Sequence, residues 1–284
     1  MFDNKQFYNL KKRTLIKISG KDRFGFFQGI ISNDIYHLEN NSSIYSSILT
    51  PQGRFIADFF LTNHQDSFLM EIESKDEELI LQKLKMYRLR CEVELLPLKN
   101  VSVYLTSNNS IKNITVSNLK YLIFEDPRFK KFFNRLYVFN HENLVKINIK
   151  SISQKTYDDL RLQHSVPDFN VDATQNKSLL MEMRFDELNG ISWDKGCYMG
   201  QEITARMKYR NLMKRKIFKI EIGFKREIKK EIYNDQEVVG YITSYNTDFG
   251  LAYFNLKNIN SYFNKKLISG DSIITPTEVW WSKS

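Results

Sequence analysis

Apolar residues recur with two different periods along this chain. Residues 14–18 alternate apolar and polar positions and predict a strand that ends at Ser19-Gly20. Lys21-Asp22-Arg23 then opens a helical pattern, with Phe24, Phe27, Gln28 and Ile31 along one side. Residues 44–49 and 54–61 read as two strands of a hairpin joined by the turn sequence Thr50-Pro51-Gln52-Gly53. Residues 68–73 predict a further strand. Residues 75–90 carry Leu79, Ile80, Leu84 and Tyr87 at helical spacing, and 91–96 return to strand. This order predicts an α+β unit with helices on one face of an antiparallel sheet.

Short strands are expected through 101–149, with Asp126-Pro127-Arg128 as a turn. A helix is expected over 153–164, stopped by Ser165-Val166-Pro167, and a second over 178–188, ahead of Asn189-Gly190. The texture changes after Asn211. Strand-like runs at 214–222, 237–244 and 250–254, separated by turns, predict a small β-barrel or sandwich. With no internal repeat or low-complexity linker, three closely packed parts are expected: 1–98, 99–210 and 211–284.

Composition adds limits rather than an activity. A chain of 284 residues, 42% hydrophobic and 14% aromatic, is long enough and apolar enough to fold around a sizeable core. Its net charge of +9 suits an anionic partner such as RNA, a phosphate or a polycarboxylate, although solvated lysines explain it equally well. Two cysteines, Cys91 and Cys197, cannot build a disulfide framework. The first residues contain no apolar signal region, and the apolar runs are too short to span a bilayer. A soluble, cytoplasmic protein with reduced thiols is the expectation.

Familiar chemistry is not written here. The phosphate loop, the dinucleotide fingerprint, HExxH, GxSxG and CxxC are all missing. His37, His64, His141 and His164 are scattered, so no metal site of the chain's own is expected. What remains is Lys195-Gly196-Cys197-Tyr198-Met199-Gly200-Gln201-Glu202. The residues from Tyr198 to Met207 are helix-compatible, and Glu202 and Arg206 stand four apart, as a helical ion pair requires. A helix starting near Cys197 places the thiol among free backbone N–H groups, and Lys195 adds positive charge; both favour a thiolate. The alternative is an inert, small buried cysteine. Further on, Lys208-Tyr209-Arg210-Asn211-Leu212-Met213-Lys214-Arg215-Lys216 interleaves cations with a tyrosine. That run fits either nucleic-acid contact or a solvated face.

KGCYMGQEITAR resembles the signature of the YgfZ-type proteins, folate-binding relatives of the glycine-cleavage T protein, an aminomethyltransferase. The segment Phe26-Phe27-Gln28-Gly29-Ile30-Ile31-Ser32-Asn33-Asp34 is similar to that family's N-terminal motif. Leu49-Thr50-Pro51-Gln52-Gly53-Arg54 with Ala57-Asp58 resembles its hairpin. Residues 157–167 resemble its Arg-to-Pro segment, with His164-Ser165-Val166 where a glycine is usual. Val239-Gly240-Tyr241-Ile242-Thr243-Ser244 with Gly250-Leu251-Ala252 resembles its C-terminal barrel motif.

The resemblance implies two α+β lobes and a small β-barrel around a central folate channel. It implies a tetrahydrofolate or derivative as cofactor, with Gln28, Asn33, Asp34, Glu202 and Arg206 as candidate contacts. It further implies support of iron–sulfur cluster assembly or repair for [4Fe–4S] enzymes such as tRNA-modifying ones. Cys197 would be the working thiol, flanked by Lys195, Gly196, Tyr198, Gly200 and Gln201. A single cysteine would share any transient cluster with an assembly protein or client enzyme. The alternative is a tetrahydrofolate-dependent aminomethyltransferase or demethylase, which needs a carboxylate near the substrate amine; Asp34 and Asp58 are its candidates. Direct tRNA binding through the basic run is a weaker third reading.

Overall fold

Two five-stranded sheets and a closed barrel organise the chain in the computed structural model, which describes residues 6–107, 120–130, 132–139, 150–223, 227–263 and 265–282. His141 and any strands expected over 108–119 and 140–149 lie outside the described residues. The chain forms two compact units. One gathers Met1–Pro51, Ile56–Gln154 and Leu188–Met199; the other gathers Gln52–Phe55, Lys155–Glu187 and Gly200–Ser284.

The first unit contains β1 (Gln6–Asn9), β2 (Arg13–Ser19), α1 (Arg23–Gln28), β3 (Ser43–Leu49), β4 (Phe55–His64), β5 (Ser67–Glu73), α2 (Glu77–Arg88) and β6 (Glu94–Leu98). It continues with β7 (Val101–Ser107), β8 (Lys120–Glu125), β9 (Phe133–Phe139) and β10 (Lys150–Ser151). The sheets run β3-β4-β5-β2-β6 and β10-β1-β7-β9-β8. Because side chains alternate across a strand, Ile16, Ile18, Phe68, Met70 and Ile72 share one face of the first sheet. They pack with Phe26 and Phe27 of α1 and with Ile80 and Leu84 of α2. Leu15 and Leu69 point the other way, against Val103, Phe124 and Tyr137 of the second sheet. The central strands are therefore covered on both faces, each fully buried apolar side chain contributing about 1.5–3 kcal/mol.

That second face also carries charge. The carboxylate of Glu71 accepts bonds from Arg13 Nε at 2.7 Å, from Arg135 Nε at 2.7 Å and from the Tyr137 hydroxyl at 3.0 Å. Asp126 accepts from Arg128 Nε at 3.0 Å and Arg135 Nη1 at 3.1 Å. The Arg135 guanidinium lies 3.7 Å from the centre of the Phe60 ring. Burial pushes both carboxyls up, but the arginines outweigh it and hold Glu71 and Asp126 below their ordinary range.

After the short piece Gln52–Phe55, the second unit takes in α3 (Gln154–Gln163) from Lys155 onwards and α4 (Phe169–Asp172). Buried Asp172 accepts from the hydroxyls of Thr243 and Ser244, each at 2.6 Å, and from Arg161 Nη1 at 3.3 Å. The arginine of the recognised 157–167 segment thus helps tie α3 and α4 to the barrel.

No regular helix forms over 178–188. The stretch folds as successive turns, with Arg184 at φ 59° and Asn189 at φ 57°. A left-handed residue cannot continue an α-helix, and here burial selects it. Arg184 is fully enclosed, held by Glu187 at 3.0 Å and by Glu278, with its guanidinium 4.7 Å from the Phe218 ring. Met181, Met183, Phe185 and Leu188 are buried too, so the apolar spacing marked a packed segment rather than a helix.

After α5 (Gln201–Tyr209) come β11 (Arg215–Ile222), β12 (Glu231–Asn234), β13 (Glu237–Tyr245), β14 (Phe249–Asn255), α6 (Ile259–Tyr262), β15 (Leu267–Ser269) and β16 (Ser272–Thr277). These strands close as β11-β14-β13-β12-β15-β16, with β16 pairing back onto β11 from Lys219–Thr277 to Ile222–Ile274. Phe218, Ile220, Ile242, Ala252, Phe254 and Ile274 fill the interior. The expected small barrel is present. Among the described residues, no helix is long and apolar enough to cross a membrane.

Candidate functional site

The motif loop is built on the turn that follows α1. Ser32 and Asn33 are buried there and bonded to segments distant in sequence as well as to their own turn. The Ser32 hydroxyl donates to the Gly190 carbonyl at 2.7 Å. The Asn33 amide donates to the carbonyls of Tyr45 and Asn189, both at 2.8 Å, while its oxygen accepts from the Asp34 N–H at 2.8 Å. Gln28 Oε1 accepts from the Ile35 N–H at 3.0 Å, and Asp34 Oδ1 from the Tyr36 N–H at 3.0 Å. The turn is therefore shaped by its own side chains.

Onto its carbonyls comes the segment 192–199. Ser192 N–H donates to Ser32 O at 3.1 Å, and Met199 N–H to Gly29 O at 3.0 Å. Between them, Lys195 Nζ donates to the carbonyls of Gln28, Ile31 and Asn33, each at 2.8 Å. Burial pushes the Lys195 ammonium down to about 8, against the pull of the Asp34 carboxylate. Three carbonyl dipoles add to that pull, since each stabilises the charged form. The ammonium also lies 5.0 Å from the ring of buried Tyr198. Cys197 itself is exposed.

One expectation about the thiol is corrected. Gly200, at φ 80°, caps α5, which begins at Gln201, so Cys197 stands four positions before the helix rather than at its start. The free N–H groups of the first helical turn belong to the residues after Gly200. And Lys195 directs its protons at carbonyls. Gly196 is not required by the backbone either: a Cβ there would meet nothing within 4 Å.

Within the second unit, the hairpin turn meets the start of α5. Gly53 has φ +71°, and a Cβ on it would lie 2.7 Å from the Gly200 carbonyl oxygen and 3.1 Å from Ile203 Cβ. Two of the recognised segments thus touch through glycine. On α5, Glu202 and Arg206 form the expected ion pair on the exposed surface, and Gln201 opens the helix. Past it, Tyr209 is 68% and Leu212 53% exposed, with Lys208, Arg210 and Lys214 also at the surface.

The five candidate folate contacts each have a partner within their own unit. Asn33 is buried with its amide donors and its oxygen engaged in the turn. Gln28 and Asp34 each use an oxygen to shape that turn, and Glu202 and Arg206 bind each other. Asp58 accepts from the buried Tyr45 hydroxyl at 3.0 Å. The Glu71 and Asp126 cluster was not anticipated from the sequence, although Glu71 inside the apolar strand Ser67–Glu73 and a lone arginine in Phe133–Phe139 were its visible signals.

No protein-family model matches the chain. The glycine cleavage system aminomethyltransferase T from Bartonella henselae superposes with a TM-score of 0.80, covering 99% of this chain and 88% of that one. This is the aminomethyltransferase T fold. At 11% sequence identity the likeness carries the fold alone. Sequence relatives point elsewhere for function. The iron–sulfur cluster assembly factor IBA57 homolog, mitochondrial, of Dictyostelium discoideum is 26% identical over 268 residues, covering 81% of this chain and 65% of that one. The homologs of Neurospora crassa and Mycosarcoma maydis are 27% and 28% identical, covering 73% and 72% of this chain but 52% and 54% of theirs. This chain therefore spans between about half and two thirds of these relatives' lengths. The likenesses support the resemblance at the level of iron–sulfur assembly factors on this fold. They also overturn the expected cytoplasmic location, because all three relatives are designated mitochondrial. That expectation rested on a missing apolar signal, and mitochondrial addresses are amphipathic rather than apolar.

Proposed function

We propose that this protein is a mitochondrial iron–sulfur cluster assembly factor whose working group is the Cys197 thiol. The observation that carries the reading is an exposed thiol on a loop pinned at both ends and in its middle. Among the described residues no three His, Cys, Asp or Glu side chains stand together as a metal site. One thiolate is one ligand, and a [4Fe–4S] cluster takes four, so an assembly partner, a client enzyme or a small thiol supplies the rest. The thiol releases its proton on binding iron. Client enzymes of the [4Fe–4S] class, tRNA-modifying ones among them, are the proposed beneficiaries. The sequence relatives designated as iron–sulfur cluster assembly factors support the reading at that level.

A transferase reading draws no comparable support, since Asp34 shapes the turn and Asp58 holds Tyr45. The test is rescue in cells lacking their own factor. Cys197→Ser is expected to leave the activity of a mitochondrial [4Fe–4S] enzyme at the level of the deletion strain, while Cys91→Ser restores it. Full rescue by Cys197→Ser would sink the proposal.

A further inference from the structure

Five of the six consecutive carbonyls from Gln28 to Asn33 accept a hydrogen bond from one short segment, residues 192–199. Gly29 and Ser32 receive backbone N–H groups, which fasten the two ends of the loop. The other three converge on a single atom, Lys195 Nζ, at 2.8 Å each. An ammonium has three protons, and all three are committed to this cage. The nearby groups that bear on Lys195 are the Asp34 carboxylate and the Tyr198 ring. Tyr198 is buried and Met199 packs on the core of the first unit, whereas Gly196 and Cys197 between them and Lys195 are exposed.

We propose that Lys195 is the positioning residue of the Cys197 thiol: its side chain plugs the cage formed by the carbonyls of Gln28, Ile31 and Asn33 and thereby holds the loop that displays the sulfur. The lysine acts on the loop's conformation and not on the sulfur's charge. Burying a charge without partners is costly, and three carbonyls aimed at one point repel each other when nothing fills the centre. The plug therefore stabilises both sides of the contact at once. The inference rests on the reading of Cys197 as the working thiol, but its test needs only purified protein and is independent of any cluster.

The test uses Cys91→Ser protein, so that Cys197 is the sole thiol, and compares Lys195 with Lys195→Ala. Removing a set of charge-assisted hydrogen bonds is expected to speed amide exchange at Ser192 and Met199 by about 10–100-fold. The amides of β2 should keep their protection. Methylammonium chloride, but not sodium chloride, is expected to restore slow exchange by refilling the cage. The pH midpoint of Cys197 alkylation by iodoacetamide should stay in place. Unchanged exchange at Ser192 and Met199 would overturn the proposal. So would a raised alkylation midpoint with both amides still protected, which would make Lys195 an electrostatic partner of the sulfur. Should β2 lose protection as well, recovery of its amides in methylammonium supports the plug, and failure to recover counts against it.

Discussion

Glu71→Ala destabilises the first unit by about 3–5 kcal/mol, because it removes the carboxylate that two buried arginines share. Arg13 and Arg135 both direct Nε at this carboxylate, and the Tyr137 hydroxyl completes its shell. Without it, Arg13 keeps Glu73 at 3.3 Å and Arg135 keeps Asp126 and the Phe60 ring, while both side chains stay buried. The check is the urea midpoint followed by fluorescence; a loss below about 1 kcal/mol would show the cluster to be well hydrated. Acid should act on the same cluster. The folded carboxyls of Glu71 and Asp126 lie below their ordinary values of 4.5 and 3.8. Their contribution is thus complete above the unfolded values and disappears as pH falls through the folded ones. Wild-type stability should decline below a pH of about 4.5, and Glu71→Gln should flatten that decline.

Gly53→Ala costs about 2–4 kcal/mol, the sum of a left-handed alanine and a forced backbone shift. The added Cβ would lie 2.7 Å from a carbonyl oxygen of the main chain, which cannot rotate away as a side chain could. That carbonyl belongs to Gly200, whose own φ of 80° sets the start of α5. Displacement at the hairpin is therefore passed into the motif, and rescue of the [4Fe–4S] enzyme should fall along with the unfolding midpoint. Gly25→Ala is the control. It lies in α1, a Cβ there meets nothing within 4 Å, and it should gain about 0.5–1 kcal/mol. Equal midpoints for the two variants would mean that the Gly53 turn yields freely.

Sequence periodicity reached far into the fold where one face of an element decides its burial. Helices α2 and α3 and the barrel strands have an inner side and were legible from it, while the hairpin, buried on both faces, was legible from its apolar runs and its turn. It misled over 178–188, where Met181, Met183 and Phe185 are buried around Arg184, whose left-handed backbone prevents a helix. No local pattern announces that conformation, because contacts distant in sequence, such as Glu278, impose it. The motif was legible as a unit, but the roles within it were not. Nearness in sequence made Lys195 look like the neighbour of the sulfur. Its actual partners lie more than 160 positions away, at Gln28, Ile31 and Asn33. Within the motif, Gly200 at φ 80° is the glycine that the backbone needs.

The separation of those partners has a consequence for folding. Ile31 and Lys195 are 164 positions apart, so their contact closes a long loop whose entropic cost has to be offset by the sheets that bring the two segments together. The bond between them, and with it the display of the Cys197 thiol, therefore reports on the folding of the whole first unit and not of the motif alone.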